Sequence, residues 1–108
     1  MIYELRTYMI TPGKMPDILR RFEMKTLAVW ERMGIRQVGF WTTLIGHSHL
    51  QLIYMLVWES MAERETKWDA FTADPEWKKA LADSERDGVI VQNCDNQFLR
   101  PTSFSALK

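Results

Sequence analysis

The residue types best suited to chemistry gather at the start of the chain, in Tyr3-Glu4-Leu5-Arg6-Thr7-Tyr8. Read as a strand, this run puts Glu4, Arg6 and Tyr8 on one face with Ile2. A carboxylate, a guanidinium and a phenol in line suit a ligand pocket. There Arg6 would hold an anionic or enolate oxygen, and Glu4 or Tyr8 would handle a proton. The same side chains suit an internal ion-pair cluster, with Glu4 and Arg6 satisfying each other and groups across the sheet. Buried charges need partners in either case. The opposite face, Tyr3, Leu5, Thr7 and Met9, reads as core.

The other chemically capable residues divide into aromatics and weak nucleophile or metal candidates. Five tryptophans are dense for 108 residues. Trp30, Trp68 and Trp77 fall on helix faces and read as packing mass, whereas Trp41 and Trp58 lie on strands and are the better pocket candidates. His47 and His49 have the spacing of a metal-binding pair, but they sit in a turn with no Cys, Asp or Glu beside them. No metal is expected there, and no helical His offers itself to a haem. Cys94 is the only cysteine, so an intrachain disulfide is excluded; it reads as a buried structural thiol in a reducing compartment. There is no Gly-x-Ser-x-Gly elbow and no glycine-rich phosphate loop. No cofactor is expected.

The elements that must carry these residues follow from periodicity and punctuation. Ile2 to Ile10 is a strand, and Thr11-Pro12-Gly13 a turn. A helix then runs to about Met33, with Met15, Ile18, Leu19, Phe22, Val29, Trp30 and Met33 near one face and Gly34 as its stop. Arg36 to Ile45 is a second strand, Gly46-His47-Ser48 a hairpin turn, and Leu50 to Trp58 a third strand. Ser60-Met61-Ala62-Glu63 is a capping box, with Glu63 placed to reach back to the Ser60 amide. Asp74-Pro75 breaks that helix and starts another, which Gly88 ends. Val89 to Arg100 is the last strand, stopped by Pro101, and Thr102 to Lys108 an extended arm packed by Phe104 and Leu107. Strand, helix, strand, strand, split helix, strand is the α+β ferredoxin-like pattern, βαββαβ, with a four-stranded antiparallel sheet. In the third strand only Gln51 is clearly polar, so both faces need cover. Helices can cover one; a second copy of the sheet would cover the other.

Length bounds this to one domain, residues 1–108. Lys plus Arg and Asp plus Glu are 14 each, a balance without the basic excess of a nucleic-acid binder. Zero net charge also removes one device for keeping a bare apolar face soluble, which again favours a homodimer. The N-terminus enters a charged strand directly and does not read as a signal peptide. No apolar run is long enough for a membrane span.

Five stretches together resemble the NIPSNAP family. They are Tyr3 to Tyr8 with Pro12-Gly13-Lys14; Gly39-Phe40-Trp41-Thr42-Thr43 before Gly46; Leu56-Val57-Trp58-Glu59-Ser60 with Glu63-Arg64; Asp74-Pro75-Glu76-Trp77; and Phe98-Leu99-Arg100-Pro101. The resemblance spans essentially the whole chain. It implies a dimeric α+β barrel, two ferredoxin-like sheets packed face to face, in a family whose biochemical function is poorly defined. Its animal members are linked to mitochondria and vesicle traffic; its compact bacterial members are single domains, and a cytoplasmic location follows from that likeness. The family often carries a His near the end of the third strand, where this chain has Tyr54-Met55-Leu56-Val57-Trp58, so no role resting on that His transfers. Three functions fit. One is a small-molecule-binding barrel for a small hydrophobic ligand, with Glu4, Arg6, Tyr8, Trp41 and Trp58 as candidate contacts. Another is a cofactor-independent monooxygenase or isomerase that desolvates and orients an aromatic substrate in a cavity beside Arg6, Tyr8 and Trp41. The third is a protein-interaction module.

Overall fold

A computed structural model describes residues 1–108. The strands are β1 (Ile2–Ile10), β2 (Arg36–Thr42), β3 (Gln51–Trp58) and β4 (Val91–Leu99). They form one antiparallel sheet in the order β2-β3-β1-β4. The helices are α1 (Met15–Arg21), α2 (Leu27–Met33), α3 (Met61–Ala73) and α4 (Pro75–Ser84). This is the expected ferredoxin-like α+β fold.

Local chemistry explains most of the boundaries. Gly34 ends α2 at φ 75°, a left-handed position that side-chain-bearing residues resist. Ser60 caps α3 by accepting the Glu63 N–H at 3.1 Å. Glu63 returns the bond to the Glu59 N–H at 3.0 Å, one residue earlier than the expected Ser60 amide. Asp74 accepts the Trp77 N–H at 2.9 Å and caps α4, with Pro75 at the first helical position. Between α1 and α2 the helix widens into a π-turn over Phe22–Thr26, an interruption that periodicity alone does not disclose. Thr26 Oγ1 donates to the Arg21 carbonyl at 3.3 Å within it.

The helices cover the face opposite to the one expected. Leu52, Tyr54, Leu56 and Trp58 of β3 point into the core with Ile18, Phe22, Val29, Trp30 and Phe71 from the helices. By register, Glu4, Arg6 and Tyr8 stand on this same helix-covered face. Tyr3, Leu5, Thr7 and Met9, expected as core, stand on the face that no helix covers, beside Gln51, Ile53, Met55 and Val57; of the first four, Tyr3 alone is buried. The reversal has a physical cause: Glu4 and Arg6 find enough partners to be buried, so their charge does not steer them outward.

Three boundaries also differ. β2 ends at Thr42, leaving Leu44 and Ile45 exposed in the connection to β3. β3 and β4 are each slightly shorter than expected. The C-terminal arm is not packed by Phe104, which is 87% exposed, or by Leu107. No helix is long and apolar enough to cross a membrane.

Candidate functional site

Glu4 is the centre of the polar cluster. Its carboxylate is fully buried and accepts hydrogen bonds from four side chains. Oε1 accepts from Trp58 Nε1 at 3.0 Å and Arg64 Nε at 3.2 Å. Oε2 accepts from Arg6 Nη1 at 2.9 Å, Arg64 Nη2 at 3.1 Å and Asn96 Nδ2 at 2.9 Å. The partners come from β1, β3, α3 and β4, so one carboxylate ties a helix to three strands. Burial pushes the Glu4 carboxyl up; the bonds from Arg64, Asn96 and Arg6 outweigh that and hold it below its ordinary value. A carboxylate held ionised by so many donors is a poor proton acceptor.

Arg6 spends its remaining donors on neighbours. Nε donates to the Tyr54 hydroxyl at 2.7 Å, and Nη2 to Cys94 Sγ at 3.3 Å. Its guanidinium carbon lies 4.6 Å from the Trp68 ring centroid, a cation–π contact. The Tyr54 hydroxyl donates onward to the Tyr8 hydroxyl at 2.7 Å. The result is a relay, Arg6 to Tyr54 to Tyr8, that ends at a half-buried phenol. Burial pushes the Arg6 guanidinium down, but Tyr54, Tyr8, Cys94 and Glu4 prevail and leave it raised. Burial likewise drives the Tyr54 phenol far up, so it stays neutral. The Cys94 thiol is also raised, by burial first, despite the opposing pull of Arg6. It is a thiol at neutral pH rather than an activated thiolate. Its Sγ turns in toward Arg6, but the residue as a whole is exposed and forms no disulfide, so it is not the buried residue expected.

Of the sequence candidates, Glu4, Arg6, Tyr8 and Trp58 come together. Trp41 does not: it pairs with Ile53 in register and so stands on the uncovered face. There its indole folds back over Gly39, where an added Cβ would sit 2.9 Å from the ring and push it aside. A cavity shared by Arg6, Tyr8 and Trp41 is therefore ruled out by the sheet itself. One hollow of about 570 Å³ lies between α1 and α4, and one of about 380 Å³ beside α2; neither is lined by any of the candidates. His47 and His49 are exposed in the β2–β3 connection. No group of three or more His, Cys, Asp or Glu residues stands together as a metal site.

Sequence reading missed Arg64, Asn96, Tyr54 and Trp68 as members of the cluster. Once the strand order is known, register predicts two of them, because Arg6 pairs with Tyr54 on one side and Asn96 on the other. Arg64 and Trp68 are four apart on α3 and share a face, a signal available from the capping box onward.

The NIPSNAP family profile matches residues 3–106. A NIPSNAP family protein from Agrobacterium tumefaciens superposes with a TM-score of 0.88 at 26% identity, over 99% of this chain and 98% of its own. An uncharacterised NIPSNAP domain protein from Burkholderia xenovorans gives 0.83 at 25% identity, over 97% and 98%. A monooxygenase candidate of antibiotic biosynthesis from Nitrosomonas europaea shares the fold at TM-score 0.64 and 6% identity, over 94% and 98%. No protein of curated function matches the chain in sequence.

Proposed function

Since the chain belongs to the NIPSNAP family, we propose that it acts as a homodimeric barrel binding a small hydrophobic molecule, its uncovered sheet face serving as interface and lumen wall. One observation carries this reading. Antiparallel sheets that meet water on one side usually alternate apolar with polar residues. Here the outward positions of the two central strands include Leu5, Met9, Ile53, Met55 and Val57, and no helix lies over them.

A second copy is the occupant that fits. The apolar strip is central; its β4 border is mainly polar, with Asn93, Asp95 and Gln97 before Leu99, and its β2 border carries Arg36 beside Gly39 and Trp41. An apolar centre with a polar rim is the anatomy of an interface, and a twofold pairing lets one surface match itself. Trp41, half exposed on this face, is the aromatic wall for a ligand. Glu4, Arg6, Tyr8 and Trp58 hold the sheet from behind, with Tyr8 the member nearest solvent. A reducing cytoplasm suits the exposed, unpaired Cys94. The Nitrosomonas neighbour, at 6% identity, contributes shape and no chemistry.

Light scattering on wild type and Met55→Glu tests the assembly. The wild type is expected at twice the mass of the chain, and the variant, with a charge at the centre of the face, as a folded monomer. A wild type that stays monomeric at micromolar concentration overturns the dimer. Binding is read with 8-anilinonaphthalene-1-sulfonate: emission should rise with the dimer and fall in Trp41→Ala. An unchanged response in that variant removes Trp41 from the site.

A further inference from the structure

We propose that the hollow between α1 and α4 binds a small organic anion, with Arg21 as the residue that holds its carboxylate or phosphate group. This site lies in the helix layer, on the other side of the sheet from the face assigned to the dimer, and does not depend on that assignment.

Helical spacing builds the hollow. Asp17, Arg20, Arg21, Met24 and Lys25 line it from the first helix and its π-turn; Ala80, Asp83 and Ser84 line it from α4. Its volume of about 570 Å³ falls in the range of small-ligand sites. The π-turn begins directly after Arg21, and such turns recur at functional positions.

Arg21 is 6% exposed. Unlike Arg6, it forms no ion pair within the chain. Nη1 donates to Ser84 Oγ at 3.1 Å, and Ser84 gives its own proton to the Leu81 carbonyl at 2.8 Å. Nε is buried with no acceptor at all. The guanidinium carbon lies 5.3 Å from the Trp77 ring centroid. A guanidinium out of water with one neutral hydrogen bond and an aromatic face is short of a counter-charge.

The charges around the hollow do not pair with it: Glu85, a carboxylate whose charge does bear on Arg21, stands outside the lining, forms no ion pair with it and accepts the Ile90 N–H at 3.2 Å. Asp17 is paired with Arg20 at 3.2 Å, Asp83 with Lys79 and Arg86 at 3.0 Å, and Glu76 with Arg32 at 3.3 Å. Lys25 and Asp87 also line the hollow, one of each sign, without an ion pair. Arg21 is thus the buried cation left over. A planar oxyanion matches its fork of N–H donors, and Met24 and Ala80 offer an apolar wall for the carbon body of the ligand.

The test is a titration of the ¹⁵N-labelled full chain with sodium hexanoate and, separately, inorganic phosphate, at constant ionic strength held with NaCl. Saturable shifts are expected in the amides of residues 20–25 and 79–85 and in the Arg21 side chain. Saturation by hexanoate alone identifies a carboxylate ligand, by phosphate alone a phosphate ligand. Arg21→Met should weaken binding about tenfold or more, the loss of a charge-assisted pair. Arg21→Lys, which keeps the charge and loses the fork, covers the case in which the methionine variant does not fold; it should weaken binding as well. Met55→Glu should bind as the wild type does, which separates this site from the dimer. Neither anion saturating, or either Arg21 variant binding as tightly as wild type, overturns the proposal.

Discussion

Arg6 and Arg21 are both buried arginines on the helix side of the sheet, and the chain treats them in opposite ways. Arg6 has Glu4 at 2.9 Å, a phenol, a thiol and an indole. Arg21 has one serine oxygen and an indole. Burial pushes both guanidiniums down; the surroundings of Arg6 reverse that, while those of Arg21 leave it lowered. The difference teaches that burial alone does not mark a charge as structural. What separates a strut from a binding residue is whether the fold itself completes the charge.

The sharpest way to break the comparison is Glu4→Ala. It leaves Arg6 and Arg64 without their shared carboxylate and should cost about 3–5 kcal/mol, read by urea unfolding. A loss under about 1 kcal/mol would mean that the cluster is not what joins α3 to the sheet.

Acid should reproduce part of that loss. The folded-state pKa of Glu4 is lowered, so its stabilisation is complete above the ordinary carboxylate range and disappears as pH falls through that range toward the depressed value. Melting temperatures of wild type against Glu4→Gln between about pH 6 and pH 2 check the sign. The wild type should lose more, and parallel curves would place the titration elsewhere.

The smallest effect is expected at the other arginine. In the absence of an anion, Arg21→Met should change stability by about 1 kcal/mol or less, because a flexible hydrophobe of similar length replaces an uncompensated charge. Arg6→Met, measured beside it, should cost clearly more. Equal costs would erase the distinction between the two sites.

How much of this was legible depends on how local each signal is. Ser60 with Glu63 and Asp74 with Pro75 announce helix starts through bonds that span three residues, and both were readable. The four-stranded antiparallel sheet followed from the succession of elements. The choice of covered face did not, because what makes Glu4 buriable is contributed by Arg64 and Asn96, 60 and 92 positions along the chain. Trp41 and Trp58 looked alike as strand tryptophans; only the pairing of Trp41 with Ile53 and of Ile2 with Trp58 places them on opposite faces. In sequence, Arg21 stands with Arg20 among Asp17, Glu23 and Lys25, a run that reads as a mixed, solvated helix face. Its burial depends on Ser84 and Trp77, brought over it by α4.

β4 is exposed along nearly its whole length, on both faces, and pairs only with β1. Such a strand offers a free row of backbone donors and acceptors on which a stray chain could crystallise into a growing ribbon. Its composition works against that outcome. Asn93, Cys94, Asp95, Asn96 and Gln97 supply no alternating apolar stripe for an incoming strand to bury, and Asp95 puts a charge in the middle. Pro101, just beyond the end of the strand, has no N–H with which to extend the ladder. During synthesis β4 leaves the ribosome after β1, β2 and β3, so one edge of β1 is bare until β4 arrives, at the time when misassembly is easiest. A Gln97→Val, Asp95→Val form should therefore fold to the same structure and yet lose solubility at high concentration.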